Sequence, residues 1–104
     1  MSESAENRAQ HARRIFEKAV NAHRAGQFDK AIAGYVRTLD IDSDYSQALN
    51  NMGVALRAQG AFHAAAASYR RAIALNPDYP GSYSNLGNAL SGAMTQRRRV
   101  TVRH

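Results

Sequence analysis

The sequence predicts an all-α fold of closely packed helices, and three observations support this prediction. Apolar residues make up 44% of the 104 residues while aromatic residues make up only 8%, and many of the apolar residues are alanine, the strongest helix former. Seven glycines and two prolines punctuate the chain, which is the usage expected at helix ends. The third observation is a repeat of fixed period, which is typical of stacked helical hairpins.

Two phrases of the sequence recur at a spacing of 34 residues. Arg-Ala-Gly-Gln-Phe-Asp-Lys-Ala at 24–31 is followed by Ala-Gln-Gly-Ala-Phe-His-Ala-Ala at 58–65, and Asn-Met-Gly-Val-Ala-Leu at 51–56 recurs as Asn-Leu-Gly-Asn-Ala-Leu at 85–90. Further pairs at the same spacing are Tyr35 and Tyr69, Arg37 and Arg71, Asp44 and Asp78, and Tyr45 and Tyr79. One period shared by independent matches indicates repeated structural units.

Local signals place two helices in the central unit. The pattern Asp44-x-x-Gln47 is a capping box, so we expect the first helix to run from about Tyr45 to Gln59. Gly60 can take the left-handed conformation that ends a helix. A second helix is predicted from about Phe62 to Leu75, since the following Asn-Pro prevents continuation.

The second predicted helix carries an apolar stripe. Its members follow i, i+3, i+4, i+7 spacing and are Phe62, Ala65, Ala66, Tyr69, Ala72 and Ile73. We expect this stripe to face the first helix, where the small Gly53 lets the two backbones approach closely.

These units resemble tetratricopeptide repeats. The second unit, residues 46–79, supplies the family positions Leu49, Met52, Gly53, Leu56, Gly60, Phe62, Ala65, Tyr69, Ala72 and Pro77. The first unit, residues 12–45, supplies Ile15, Ala19, Ala22, Gly26, Phe28, Ala31 and Tyr35, and departs from the pattern at Lys18, Thr38 and Ser43. Such drift is expected of a terminal repeat with one solvated face.

The resemblance implies a right-handed superhelical array of antiparallel helix hairpins, with two repeats and a terminal helix. The predicted segments are a polar N-terminal extension of the first helix at 1–11, repeats at 12–45 and 46–79, the first helix of an incomplete third repeat at 80–93, and a basic tail at 94–104.

The missing half of the third repeat predicts an uncovered apolar edge. We expect homo-oligomers to form through Tyr83, Leu86 and Leu90 on the C-terminal helix, because repeat arrays normally need a polar cap. Two alternatives stay open at this point. The tail can fold back as a cap, or the array can continue in a longer protein.

The resemblance also implies a concave groove, lined by the first helix of each unit, that binds an extended peptide. The predicted groove residues are Arg13, Arg24, Gln47, Asn50, Asn51, Arg57, Asn85 and Asn88. Asn51 and Asn85 occupy equivalent positions, similar to the asparagine ladder of the O-linked GlcNAc transferase superhelix, because an amide offers both a donor and an acceptor to a peptide backbone. The arginines favour acidic residues or a C-terminal carboxylate. The alternative is that these side chains are only solvated.

One subfamily binds chaperone tails through a two-carboxylate clamp of Lys, Asn, Asn, Lys and Arg. The corresponding residues are Phe16, Val20, Asn51, Gly81 and Asn85, of which only Asn51 matches. We therefore do not expect that type of ligand.

Catalysis, metal binding and cofactor binding are not expected. The chain has no cysteine, its histidines His11, His23 and His63 lack the spacing of a ligand set, and Glu17 and Asp29 are isolated acids rather than an acid–base pair. No glycine-rich phosphate loop occurs.

Charge and hydropathy restrict the remaining classes of binding partner. Of the net charge of +6, residues 95–104 contribute +4. Nucleic acid or an anionic surface bound through this tail is therefore the rival hypothesis, although the tail has no aromatic residue for base stacking. Neither a secretory signal nor an apolar run of about 20 residues is present, so we expect a cytoplasmic protein without membrane contact.

Overall fold

The computed structural model describes residues 2–102, and side chains over residues 4–98. Within this range five helices follow one another: α1 Ser2–Arg24, α2 Phe28–Ile41, α3 Ser46–Ala58, α4 Phe62–Leu75 and α5 Ser82–Val102. Each helix packs against the next one along the chain, so that antiparallel hairpins stack in sequence order. The predicted all-α array of hairpins is confirmed. No helix among residues 2–102 is long and apolar enough to cross a membrane.

Glycine ends two of the helices as the sequence predicts. Gly26 follows α1 with φ of 76°, and Gly60 follows α3 with φ of 81°. In each turn the next N–H reaches back to a carbonyl five residues earlier, from Gln27 to Ala22 and from Ala61 to Leu56, both at 2.9 Å. This pattern satisfies carbonyls that a helix end leaves open, and it aims the next helix back along the previous one.

The predicted capping box at the start of α3 does not form. Tyr45 is the N-cap residue and makes no side-chain capping bond. Instead, the carboxylate of Asp42 accepts a hydrogen bond from the Asp44 backbone N–H at 3.1 Å. Aspartate readily makes this local turn. The acceptor is Asp42, two residues before the Asp44 of the predicted capping box.

Two apolar clusters form the core, each centred on a tyrosine. Tyr35 and Tyr69 are both fully buried. The first cluster consists of Ala19, Ala22, Ala31, Tyr35, Ala48 and Ala55, and the second of Ala65, Ala66, Tyr69 and Ala89. Small side chains around one large ring let paired helices pack at close range.

Gly53 is small for a different reason from the one the sequence suggests. A Cβ atom added there would lie 2.5 Å from Cε1 of Tyr69, so the glycine makes room for a ring and not for a neighbouring backbone. Close backbone approach occurs instead in the first hairpin. A Cβ atom at Gly34 would lie 3.3 Å from Cα of Ala19.

The C-terminal helix is longer than predicted. We expected it to stop near residue 93 and a separate tail to follow, but α5 runs to Val102. Side chains along its second half account for this: Gln96 Nε2 donates to the Gly60 carbonyl at 3.0 Å, and Thr95 Oγ1 donates to the Ser91 carbonyl at 3.0 Å. Arginines also suit the negative end of a helix dipole. Arg103 and His104 lie outside the described residues.

The glycine pair Gly53 and Gly87 gives a matched test of this packing. Gly53→Ala forces a methyl group into the Tyr69 ring, and we expect it to lower the free energy of unfolding by about 1–3 kcal/mol. Gly87 lies 34 residues later and has no atom within 4 Å of an added Cβ. Gly87→Ala should therefore raise stability by roughly 0.5–1 kcal/mol through helix propensity.

Urea denaturation of dilute protein, followed by circular dichroism, measures both variants. Equal effects of the two substitutions would contradict the proposed role of the Tyr69 ring.

Candidate functional site

The inner side of the array is formed by α1, α3 and α5. These three helices contact one another in turn, whereas α2 and α4 make no contact with each other within residues 2–102. Helices that meet must lie on the inside of a curve and helices that diverge on the outside. The concave face therefore belongs to α1, α3 and α5, and it is the candidate site.

The predicted groove residues differ in exposure. Asn50 is 8% exposed and its Oδ1 faces Asn85, so little of this side chain is accessible to a ligand. Asn51 and Asn85 are half-buried. The exposed members are Arg13, Arg24, Gln47, Arg57 and Asn88. Arg13 Nε forms an exposed ion pair with Glu17 at 3.4 Å.

A polar cluster joins the first hairpin to α3. Nδ1 of His23 lies 2.8 Å from the Tyr35 hydroxyl, and the side chain of Asn51 forms a second hydrogen bond to that hydroxyl. Burial lowers the pKa of His23. Burial also raises the pKa of Tyr35, against a smaller opposite effect of the Asn51 hydrogen bond. The imidazole is thus kept neutral and held by the phenol, so Tyr35 has two polar partners on the concave side.

The second hairpin lacks the corresponding bonds. Tyr69 is the counterpart of Tyr35, and its buried hydroxyl has no hydrogen-bond partner among the described residues. Arg57 replaces His23, and Asn85 replaces Asn51. The Asn85 Nδ2 donates to Asn50 Oδ1 across 3.5 Å.

Arg57 lies near this unsatisfied hydroxyl. Burial raises the pKa of Tyr69, and the positive charge of Arg57 lowers it by a smaller amount. A buried hydroxyl without a partner is costly, and such a group is an uncommon feature in native structures. Among the described residues, Ser82 Oγ at the start of α5 is a second buried hydroxyl without a hydrogen-bond partner.

Sequence reasoning overlooked the tyrosine hydroxyls. Tyr35 and Tyr69 were recognised as repeat positions, and their rings were expected in the core. The available signal was the residue twelve positions earlier, His23 in one unit and Arg57 in the other. His23 was considered only as a metal ligand and as a groove residue, while the structure shows that it holds Tyr35.

Sequence reasoning also overlooked a basic cleft between α1 and α2. Its floor includes Ala19 and Gly34, and its rim carries the cations Arg14, Lys18, Lys30 and Arg37. All four are exposed. The one salt bridge between side chains found in the described range, Arg13 to Glu17, involves none of them. The cleft is therefore locally positive, with Glu17 as the one acidic residue in its lining, and the tail-centred view of the net charge missed it.

The comparisons with known proteins agree with this architecture. Residues 53–92 match a family described as TPR repeat. The first TPR domain of Spaghetti (RPAP3), bound to the HSP90 peptide SRMEEVD, is similar at 28% identity with a TM-score of 0.79, over 83% of this chain and 68% of that chain. The chain belongs to the tetratricopeptide-repeat family. No curated protein matches the sequence significantly.

Two further solved structures share the fold of this tetratricopeptide-repeat chain. An O-GlcNAc transferase mutant of Thermobaculum terrenum is 32% identical with a TM-score of 0.75, and the match covers 80% of this chain but only 16% of that one. The Arabidopsis OM64 TPR domain is 17% identical with a TM-score of 0.81, over 86% of this chain and 74% of that one. The chain thus spans a small part of the transferase and most of the isolated domain.

The contrast between the two tyrosines predicts opposite effects of removing each hydroxyl. Tyr35→Phe leaves His23 and Asn51 without their shared partner and should cost about 1–2 kcal/mol of unfolding free energy. Tyr69→Phe removes a hydroxyl that has no partner, so its effect should be neutral or stabilising. Urea denaturation measures both. A comparable loss in Tyr69→Phe would mean that its hydroxyl is satisfied in solution.

The lowered pKa of His23 predicts a loss of stability in mild acid. Below the ordinary value of 6.5 the unfolded chain binds a proton that the folded chain resists, so the free energy of unfolding falls as the pH falls through this range. His23→Gln, which retains a hydrogen-bonding group, should reduce the difference in stability measured between about pH 7.5 and about pH 5.5. His63→Gln is the control, because His63 is exposed. An unchanged pH dependence in His23→Gln would rule out this explanation.

Proposed function

We propose that this protein is an interaction adaptor that binds an extended segment of another polypeptide along the concave face of α1, α3 and α5. The observation that carries the proposal is the exposed Arg57 together with the half-buried amides of Asn51 and Asn85 on the concave face. These side chains offer hydrogen-bond donors and acceptors that a ligand on this face can reach. The solved TPR domain of Spaghetti, which is 28% identical, binds a peptide, and this supports the same class of ligand here.

The chemistry of the concave face suits a peptide backbone. An extended peptide presents a carbonyl and an N–H at each residue, and the amides of Asn51 and Asn85 can pair with both. The Asn85 bond to Asn50 is long at 3.5 Å, so a ligand can replace it at little cost. The exposed side chain of Val54 on α3 offers an apolar contact between the polar groups.

The positive charge indicates the type of acceptor. Arg57 is exposed and lies close enough to Tyr69 to affect its pKa. An exposed guanidinium favours a carboxylate over a neutral carbonyl, because charge-assisted hydrogen bonds are stronger. We therefore expect an acidic side chain or a C-terminal carboxylate to lie between α3 and α5.

The clamp residues argue against the peptide of the Spaghetti complex as the ligand. Phe16, Val20 and Gly81 stand where that subfamily has Lys, Asn and Lys. An apolar residue or a glycine cannot bind two carboxylates, so a different sequence preference is expected.

No catalytic or cofactor-dependent role is proposed. The paired acids, nucleophiles and ligand clusters that catalysis needs are not brought together on the concave face among the described residues. Because the Thermobaculum terrenum transferase contains a similar array within a much longer chain, an association of this array with an enzyme is conceivable only as a substrate-selecting module.

A peptide-display experiment tests the proposal. Random peptides of about twelve residues, with free C-termini, are selected on the wild-type chain, and the affinity of each enriched peptide is measured by fluorescence polarisation. We expect acidic peptides to be enriched. The triple variant Asn51→Ala/Arg57→Ala/Asn85→Ala should weaken their binding at least about tenfold.

Arg71→Ala is the matched control, because it removes an exposed arginine from the outer helix α4. Its peptide affinity should equal that of the wild type. Either no enrichment on the wild type or equal affinity of the triple variant would refute the concave-face proposal.

Nucleic acid bound through the C-terminal end is the alternative function. Arg97 and Arg98 are exposed on α5, whereas Arg103 and the side chain of Arg99 lie outside what the structure describes. A chain ending at Gln96 separates the two functions. The basic end is a phosphate site if two results are obtained: a single-stranded DNA of about 20 nucleotides binds the full chain with an affinity that falls as the salt concentration rises, and the truncation abolishes this binding. Peptide binding on the concave face should survive the truncation.

A further inference from the structure

The side of α5 that corresponds to the α4-facing side of α3 has no helix packed against it among the described residues. Shifting the α3 residues Leu49, Gly53 and Leu56 by 34 positions gives Tyr83, Gly87 and Leu90. In the central hairpin the Tyr69 ring packs onto Gly53, whereas nothing lies within 4 Å of a Cβ atom at Gly87. The position at which α4 packs on α3 is therefore open on α5.

The exposed part of α5 is an apolar stripe. Tyr83 is 61% exposed and Met94 is 60% exposed. With Gly87 and the half-buried Leu90, they follow i, i+4, i+7, i+11 spacing along one side of the helix. Leu86, which we predicted as part of this edge, packs against the second core cluster, and the half-buried Leu90 packs against the same cluster with only part of its side chain exposed. The stripe consists of Tyr83, Gly87, Leu90 and Met94.

This stripe is complementary to itself in the antiparallel direction. Tyr83 and Met94 lie equally far from the midpoint between Asn88 and Ala89, and so do Gly87 and Leu90. When two such helices pack antiparallel, Tyr83 meets Met94 and Gly87 receives Leu90. Sulfur packs well against an aromatic ring, and a small residue opposite a large one allows close packing.

Charge favours the same arrangement. An antiparallel α5 partner brings the exposed Arg98 of one chain to the start of α5 in the other, and Asp78 lies in the turn that precedes this start. Asp78 is the only acidic residue after Asp44 in the sequence. In one chain the two groups lie at opposite ends of α5, because residues 82–98 span roughly 24 Å of helix. They can therefore pair only between two molecules.

Head-to-tail stacking of copies is disfavoured. It would place the basic end of α5 near the basic cleft formed by Arg14, Lys18, Lys30 and Arg37. Like charges at an interface suppress association. A symmetric contact between two α5 helices avoids that cleft.

We propose that a second copy of this chain covers the stripe on α5, forming an antiparallel, two-fold symmetric dimer. The contact involves few large side chains and is smaller than a standard interface, so a dissociation constant in roughly the micromolar range is expected. The proposal is independent of peptide binding, because none of its residues lies among the Asn51, Arg57 and Asn85 set.

Sedimentation equilibrium of the full chain between about 10 and 500 µM tests for the dimer. Asp78→Arg and Arg98→Glu should each weaken dimerisation about tenfold, because two symmetric attractions become repulsions. The double variant Asp78→Arg/Arg98→Glu should restore the wild-type constant within about threefold. Gly87→Gln should weaken the dimer at least about tenfold without unfolding the monomer, since that position is open.

Engineered cysteines determine the direction of the helices, since the chain has no cysteine of its own. Tyr83→Cys and Met94→Cys chains should form disulfide-linked dimers when mixed under mild oxidation, and much more slowly when each is oxidised alone. A monomer at the highest concentration, larger assemblies, failure of the double charge variant to restore pairing, or faster linkage of identical chains would each overturn the proposal.

Discussion

The structure depends on the burial of one tyrosine ring in each hairpin. Tyr35 and Tyr69 are fully buried, and each is surrounded by alanines of two or more helices. Aromatic burial on this scale is a large share of the stabilisation of so small a domain. Gly53 must lack a side chain for the Tyr69 ring to fit, which explains why the residues around the ring are small.

Burial of these rings also places a hydroxyl where the inner helices meet. The Tyr35 hydroxyl is hydrogen-bonded to His23 on α1 and to Asn51 on α3, so polar contacts join the first hairpin to α3. The Tyr69 hydroxyl has no such partner in the described range, so the same packing leaves a buried donor unpaired in the second hairpin, beside the half-buried Asn85 and the exposed Arg57. Packing and the candidate site are thus consequences of one residue type at one repeat position.

Much of the fold could be predicted from the sequence because the period of 34 residues ties local signals to one another. The bounds of α4 agree with the prediction, and those of α3 differ by one residue at each end. The capping box of α3 and the length of α5 were predicted wrongly. The Asp42 turn and the Gln96 bond to Gly60 depend on which of several available partners a side chain contacts, and the sequence does not determine that choice. The chemistry of the concave face was harder still. The repeat predicts equivalent positions for Asn51 and Asn85, but their different partners depend on His23 and Arg57 at another position of the repeat.

The two proposed surfaces are linked by geometry. The concave face is formed by α1, α3 and α5, while the stripe of Tyr83, Gly87, Leu90 and Met94 lies on the outer side of α5, where no further hairpin packs. A two-fold contact through this stripe leaves both concave faces open and holds two of them at a fixed separation. Two linked sites on a partner with repeated acidic segments would bind more tightly than either site alone, without any new contact. The two complete hairpins of the described residues present a short concave face, and pairing of two arrays is a physical way to lengthen it.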